Sequence, residues 1–447
     1  MNIAERALAA HQEGRLDEAE ACYRLLIESA PHPGALNNLG LVLVAQHRGP
    51  EAVQLFERSL VVRPRHVNTL IALANALTLA NRPLESIERC DEALAADPGN
   101  KDARHNKAVA LRALNRYSEA TLELEKLLSE DPADADAEYN LALCELVAGD
   151  YLRGWRHYDA RRRGRKAVQP VSMAGIASWQ PGDPLKHRRV LVQAEQGLGD
   201  TLHFARFVPR LAEHCASVEI HVQEPLVALL RRSFPGLPVN KTGADPGGER
   251  PELRIPLPSL PLALGLVDVA ALAASCAYLH ADADRAPPAS LLAVPASARR
   301  IGFVWRGASG HQNDHNRSIA LELFEPWIRA QLPAGTTIFT LQKGIRPEER
   351  RWLAQFPHVR ILDEEMRDFE DTAAIIARLD GLVCVDTSVA HLSGAMGRAT
   401  TLLLPFAPDW RWGLEGERTP LYPNHRLVRQ SSIGVWTDQI DRLARQP

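Results

Sequence analysis

The 447-residue chain is predicted to be an α plus α/β protein, a helical repeat array followed by two α/β units. Three observations predict this. The first third repeats with a period of 33 to 34 residues. From about residue 187, short β-branched runs alternate with amphipathic stretches, as strands and helices do when they follow one another along a parallel sheet. Two of those runs break into elbows, Glu195-Gln-Gly-Leu-Gly-Asp200 and Asp386-Thr-Ser388, each opening a helical stretch. Apolar content of 45% and charged content of 24% place the chain among soluble globular proteins. A net charge of −3 supplies no global basic field, which argues against nucleic acid as a partner. Met1 leads straight into a helical pattern, and no run of eighteen apolar residues follows, so no transmembrane segment is expected and a cytoplasmic location is the default. The six cysteines (Cys22, Cys90, Cys144, Cys215, Cys276, Cys384) are scattered without a C-x-x-C pair, which favours buried free thiols over disulfides or metal sites.

In the repeat, small residues recur at Ala19, Ala52, Ser86, Ala120 and Gly154, and a second small position at Ala7, Gly40, Ala74, Ala108 and Ala142. Large residues keep step at Tyr23, Phe56, Leu124 and Tyr158, with Cys90 the weak member, and prolines at Pro31, Pro64, Pro98 and Pro132. Small residues let two helices approach closely, large ones fill the groove, and proline ends the second helix. This pattern resembles the tetratricopeptide repeat, which implies antiparallel helix pairs stacked into a superhelix, here four full units and a partial fifth over residues 1–163. The concave groove of such a superhelix takes a protein or extended peptide. Asn37, Asn38, Asn68, Asn75, Asn106 and Asn140 fall mainly on the first helices, and Asn38, Asn75, Asn106 and Asn140 are the candidates to pair with a peptide backbone; the alternative is that they are solvated helix residues. The basic junction Arg161, Arg162, Arg163, Arg165, Lys166 reads as a solvated linker, or as a contact with an acidic face. Residues 164–186, with Pro170, Trp179 and Pro184, read as an irregular tether.

Beyond it, strands are expected at 190–194, 218–222 and 253–256, with helices at 201–215 and 225–234, making a Rossmann-like domain over 187–285. A Pro/Ala-rich stretch at 281–298 precedes a second alternating set over 298–434, with strands at 301–305, 337–342, 359–362, 381–385 and 400–404. Its helices are expected at 321–330, 347–356, 372–378 and 389–397, and a terminal helix within 435–447 is placed to pack back across the pair. Two such domains imply a cleft between them.

The chemistry concentrates at the elbows, where a strand end and a helix N-terminus converge. The first lacks the lysine of a P-loop and the full G-x-G-x-x-G of a dinucleotide site, so it is no phosphate cradle. Gln196, Gly197 and Gly199 instead read as a bare backbone brought close to an acceptor, with Asp200 at the helix entrance. Asp200 could alternatively just cap that helix. At the second elbow, Thr387 and Ser388 open a small-residue helix whose N–H groups, hydroxyls and dipole form an anion cradle, although D-T-S alone is also an ordinary N-cap. Asp282-Ala-Asp284 and Asp134-Ala-Asp136 mimic metal-binding D-x-D pairs but lie in loops with no adjacent strand, and they are assigned to solvated turns, with no metal expected.

Gly199-Asp200 with Asp386-Thr387, His391-Leu392 and Gly394-Ala395 resemble the glycosyltransferase group of the ADP-heptose:lipopolysaccharide heptosyltransferases, of GT-B fold. The wider pattern is similar to a bacterial branch with tetratricopeptide repeats ahead of that transferase. Its marks here are residues 194–200, Pro258-Ser-Leu-Pro261, Gly302-Phe-Val-Trp-Arg-Gly307, Asn316-Arg-Ser318, Leu341-Gln-Lys343, Asp371-Thr-Ala-Ala374, and Leu404-Pro-Phe with Pro408-Asp-Trp-Arg-Trp412. The resemblance implies inverting, metal-independent sugar transfer from a nucleotide-sugar co-substrate, with no other cofactor. It makes Asp200 the base, Asp386 the holder of sugar hydroxyls, and Thr387, Ser388, His391 and Arg317 the diphosphate ligands, with Arg306 and Lys343 second-rank donor candidates. His391 could equally be a satisfied core residue and Lys343 a solvated turn residue. Trp410 and Trp412 could stack on a base or sugar, or simply pack. The donor loop is less glycine-rich than in heptosyltransferases, which leaves the sugar open. Repeats favour a protein acceptor modified on Ser or Thr, flagellin or another surface protein, as in transferases of this general design. The rival readings are a lipopolysaccharide-type transferase, a repeat interaction protein on a retained GT-B scaffold, and a nucleotide-sugar epimerase.

Overall fold

The computed structural model describes residues 2–29, 32–165, 167, 175–273, 277–295, 297–308, 310 and 313–445. Pro31, Lys166, Pro170 and Cys276 lie outside the described residues. The chain forms two compact units, Met1–Cys144 and Glu145–Pro447. Among the described residues no helix is long and apolar enough to cross a membrane.

The first unit is a helical solenoid: α1 (Ile3–Gln12), α2 (Leu16–Ser29), α3 (Pro33–Ala45), α4 (Gly49–Val62), α5 (Val67–Leu79), α6 (Pro83–Ala96), α7 (Lys101–Ala113), α8 (Tyr117–Glu130) and the start of α9 (Ala135–Ala148). The in-phase small residues are buried at the helix crossings, Ala7, Ala19, Ala52, Ala74, Ala108 and Ala120 with no exposed surface. At Gly40 a Cβ would stand 2.6 Å from the Phe56 ring, so the large residue of one helix occupies the space vacated on the other. A further periodic signal ends the first helix of each pair. Gly14, His47, Asn81, Asn115 and Gly149 all adopt left-handed φ between 59° and 83°. The N–H that follows each bonds back to a carbonyl five residues earlier, as in Arg48 to Leu43 and Arg82 to Leu77, both 2.8 Å, and Asp150 to Glu145 at 2.9 Å. This is the Schellman closure, which satisfies carbonyls a helix end leaves orphaned.

Two of the four proposed groove asparagines are committed within the array. Asn106 Nδ2 donates to the Ile71 carbonyl at 3.2 Å, bridging α7 to α5. Asn140 Nδ2 donates to the Asp136 carbonyl at 2.8 Å while its Oδ1 accepts from Arg112. Asn38 is half-buried on α3. Asn75 stays exposed on α5. An amide that bridges neighbouring helices satisfies buried donors and acceptors first, which limits what it offers a peptide.

The second unit begins with the end of α9, α10 (Tyr151–Tyr158) and the 3-10 turn Asp159–Arg162, so the repeat pattern runs past the first unit's boundary. Trp155, 2% exposed, meets Phe204 and Trp410 edge-on at 6.3 and 5.2 Å. One sheet holds β1 (Ala177–Ser178), β2 (Arg189–Gln193), β3 (Ser217–Val222), β4 (Val239–Lys241) and β5 (Leu253–Pro256), ordered β1-β5-β2-β3-β4. The other holds β6 (Arg299–Val304), β7 (Thr336–Thr340), β8 (Val359–Ile361), β9 (Gly381–Val385), β10 (Thr400–Leu404) and β11 (His425–Arg429), ordered β11-β10-β9-β6-β7-β8. All pairings are parallel. The expected tether therefore contributes the edge strand β1, and Trp179 beside it is buried, its N–H bonded to the Arg254 carbonyl of β5 at 2.9 Å and its Nε1 to the Asp183 carbonyl at 3.2 Å. β4 and β11 were not expected; the first is too short to show a period, and the second, His425-Arg-Leu-Val-Arg429, carries flanking charges.

In the second sheet the chain runs β6-β7-β8 outward, then returns to β9 beside β6, a doubly wound order whose switch point lies between β6 and β9. The first sheet reverses likewise between β2 and β5. The terminal helix Thr437–Ala444 packs on the helix Glu325–Gln331, with Trp436, Ile440 and Leu443 joining the core of the second sheet.

Candidate functional site

Both elbows lie where the strand order reverses, but the two switch points are filled differently. After β2, Glu195 accepts Arg161 Nε and Nη2 at 2.8 and 3.2 Å, a bidentate pair with 4% and 5% of the side chains exposed. Arg161 Nη2 also donates to Ser259 Oγ at 2.8 Å, just beyond β5, and Ser259 Oγ donates to Asp159 at 2.6 Å. Tyr158 OH donates to Gln196 Oε1 at 3.2 Å. The first crevice is thus closed by the turn after α10. This corrects the solvated-linker reading for Arg161 and Arg162: Arg161 fills the gap between β2 and β5, and Arg162 pairs with Asp159 at 2.8 Å. Burial there is sustained by the carboxylate partners.

Asp200 stands at the start of the helix Leu198–Phe204. Its Oδ2 accepts the Gly197 N–H at 3.1 Å, the capping contact, and its Oδ1 accepts Arg411 Nη2 at 2.5 Å. The one carboxylate thus serves both the cap and the pair with Arg411, one oxygen each. Gly199 does not present a bare backbone to open space. A Cβ there would stand 2.9 Å from His391 Cδ2 and 3.5 Å from Ser388 Cα, so this glycine lets the first elbow press on the second. Its φ is not left-handed, so space is the constraint. Gly199→Ala is expected to destabilise the second unit by about 1–3 kcal/mol in denaturant unfolding, by overpacking; an unchanged midpoint would contradict the packing argument.

After β9, Asp386 Oδ2 accepts Trp412 Nε1 at 2.9 Å, and Oδ1 faces His391 Nε2 at 3.8 Å. Burial pushes this carboxyl up to about 6, with Asp409 adding to the effect and Trp412, Arg317 and Arg411 opposing it. Thr387 is the N-cap of the helix Ser388–Ala395, yet its hydroxyl makes no capping bond and is buried without a partner. Ser388 is half-buried beside it. His391 is buried, stacked on Trp412 at 5.3 Å, with Nδ1 3.0 Å from Tyr422 OH. Burial and the charges of Arg411 and Arg206 hold it well below 6.5, so it is neutral at pH 7. Gly394 admits the Tyr422 ring, and Ser393 Oγ bonds Thr400 Oγ1 on β10 at 2.7 Å, so helix packing here involves both ring and sheet.

Arg317 belongs to this crevice: its Nη1 donates to the Asp386 carbonyl at 2.9 Å, and Gly307 makes room for its guanidinium, whose Cζ would lie 2.6 Å from a Cβ. Arg306 and Lys343 are turned to other partners. Arg306 Nε and Nη2 both reach Glu349 at 3.2 Å, and Glu349, against the cost of its burial, is held down at about 2 by hydrogen bonds from Arg346, Arg306 and Trp305. Lys343 Nζ donates to the Asp363 carbonyl at 2.5 Å and closes that loop. Trp410 and Trp412 are 4% and 2% exposed, so packing describes them, though Trp412 also holds Asp386. Asp282 accepts Arg232 at 2.5 Å and Asp134 caps the Ala137 N–H at 3.0 Å, so both acidic pairs have structural partners. Among the described residues no group of three or more His, Cys, Asp or Glu side chains gathers as a metal set.

Arg411 was missed as a site residue although its segment, Asp409-Trp-Arg-Trp412, stood out in the sequence. It joins Asp200 and Asp409 at 2.5 and 2.8 Å and lays its guanidinium over Phe204 and Trp410. The arrangement offers two carboxyl groups from different sheets, a neutral imidazole, two guanidinium groups and an uncapped helix N-terminus. That set can hold an anion and move a proton.

Tetratricopeptide-repeat models match residues 4–33, 37–101 and 77–137, so the N-terminal region carries these repeats. Protein FlbA of Caulobacter vibrioides is 24% identical over 323 residues, 67% of this chain and 52% of that protein; the chain spans about half the length of this curated relative. Similar solved structures include MamA 41-end from Desulfovibrio magneticus RS-1, 16% identical, covering 35% of this chain and 89% of that one with a TM-score of 0.33. A thermophilic TPR protein of Thermus thermophilus is 15% identical, covering 36% and 88%, with a TM-score of 0.32.

Proposed function

We propose that this chain is an inverting glycosyltransferase of GT-B design that moves a sugar from a nucleotide-sugar to a protein hydroxyl, its repeats gathering the acceptor. The observation that carries this reading is the approach of the two elbows at the carboxyl ends of two parallel sheets: Gly199 packs on His391 and Ser388, and Arg411 pairs with Asp200 while its neighbour Trp412 holds Asp386. The donor diphosphate would lie at Thr387, Ser388 and Arg317, where a helix N-terminus and a fixed cation stabilise the departing anion. Asp386 would hold sugar hydroxyls. The acceptor oxygen attacks the anomeric carbon from the face opposite the leaving group. Its proton passes to Asp200, the new C–O bond forms, and the old C–O bond breaks with its electrons going to the nucleotide phosphate. A bacterial surface protein such as flagellin is the acceptor class that the repeat-plus-transferase resemblance favours. Protein recruitment is the part of this reading the repeat matches support directly.

The test is product formation from a panel of nucleotide-sugars and candidate acceptor proteins by wild type and Asp200→Ala. Loss of the base is expected to lower turnover about 10²–10⁴-fold; equal turnover would remove Asp200 from the mechanism. Conversion of donor without acceptor would favour an epimerase. A matched donor at about a hundred times its dissociation constant should add about 2.7 kcal/mol of stability.

A further inference from the structure

We infer that Arg411 is a latch released by the donor: its pairing masks Asp200, and the anionic leaving group draws it away. This rests on the transfer reading above. Arg411 lies on the 3-10 turn Trp410–Trp412, with 6% of its side chain exposed. Its Nη2 holds Asp200 and its Nη1 holds Asp409, while its Nε is buried without a partner. The Thr387 hydroxyl at the adjoining helix N-terminus is likewise unpartnered. Two donors are thus unused, one on a guanidinium nine-tenths buried whose neighbour Trp412 holds Asp386, the other on the residue that follows Asp386.

The neighbouring cations are differently committed. Arg206 donates to the carbonyls of His203, Leu272 and Leu421 and to Tyr278 OH. Arg317 holds Asp314 and the Asp386 carbonyl. Arg411 pairs with the carboxylate assigned as base. A guanidinium keeps its charge, so its partner is set by competition among anions, and a diphosphate carries more charge than the Asp200 carboxylate held by a single Nη2 contact. When the diphosphate takes Arg411, Oδ1 of Asp200, whose side chain is 28% exposed, becomes free to accept the acceptor's proton. The base is then available only while the donor is in place, which orders donor before acceptor.

Inorganic pyrophosphate tests this on the full chain, with binding read from thermal stabilisation. Wild type is expected to bind it, Asp200→Asn to bind it about tenfold tighter because the competing charge is gone, and Arg411→Gln to lose most of the effect. Arg411→Lys, which keeps charge without the fork, is expected to fall between. The Asn variant alone decides the matter should the buried Arg411 variants fail to fold. Equal affinity in wild type and Asp200→Asn, or no pyrophosphate binding by either, would overturn the latch. The expected order without turnover of any nucleotide-sugar keeps the latch and removes the transfer reading. Sugar transfer with equal pyrophosphate affinities does the reverse.

Discussion

Arg161→Met is expected to lower the stability of the second unit by about 3–5 kcal/mol, the usual cost of leaving one member of a buried ion pair alone. Glu195 would be left between β2 and β5 with 4% of its side chain exposed and neither guanidinium bond. Ser259 would lose a donor as well. Urea unfolding followed by tryptophan fluorescence reads the effect, because Trp155, Trp179, Trp305, Trp410 and Trp412 all lie in this unit. The double variant Arg161→Met, Glu195→Gln should recover much of the loss, since it removes the stranded carboxyl. Amide exchange at residues 195–202 should quicken in the single variant, since the elbow that carries Asp200 loses its clamp. A single variant as stable as wild type would show that the pair closes the crevice without contributing to its stability.

The second unit is also expected to be acid-labile. Burial holds His203 and His391 well below 6.5, and His425 down at about 4. Unfolded, each would protonate near 6.5, so the stability they confer is present above that pH and is lost as pH falls. Asp386 works the other way. Its folded value of about 6 exceeds the ordinary 3.8, so its contribution is full below about 4 and is lost as pH rises through about 6. Between about pH 4.5 and 6 the unfolded chain therefore takes up imidazole protons that the folded chain does not, opposed by the carboxyl proton held in the folded state, so stability falls as pH falls. Asp386→Asn removes the opposing group, and the fall in the same window should steepen by about 1 kcal/mol per pH unit. Unfolding curves taken at half-unit steps of pH measure both; a flat profile from pH 6 to 4.5 would contradict the burial of these imidazoles.

Much of the architecture was legible because it rests on local periods. The 34-residue recurrence of small and large residues marked the helix crossings at Gly40 and Phe56, since close approach demands a missing side chain opposite a large one. The strands Leu253–Pro256, Gly381–Val385 and Thr400–Leu404 emerged at their predicted bounds, being apolar runs between turn residues. The left-handed positions at Gly14, His47, Asn81, Asn115 and Gly149 were equally periodic, but His47 hides the pattern from a search for glycine and asparagine. The site was legible only in part. Asp200, Asp386 and the helix after Thr387 follow strands, where the order of elements already directs attention, whereas Arg317 ends the short helix Asp314–Arg317. Arg306 and Lys343 also end strands, yet Glu349 and Asp363 hold them, and those partners lie 43 and 20 residues away.

The sequence by itself determined that helices would pair by small residues, that two parallel sheets would follow, and that carboxylates would stand at both elbows. Those features depend on spacing within a few tens of residues. Tertiary structure alone decided that Arg161 closes the first switch point, that Gly199 exists for His391, and that Arg411 joins the elbow at Asp200 to Asp409 across 211 residues of chain. Charge pairing and steric fit act through space, and no local pattern records which distant side chain will be opposite.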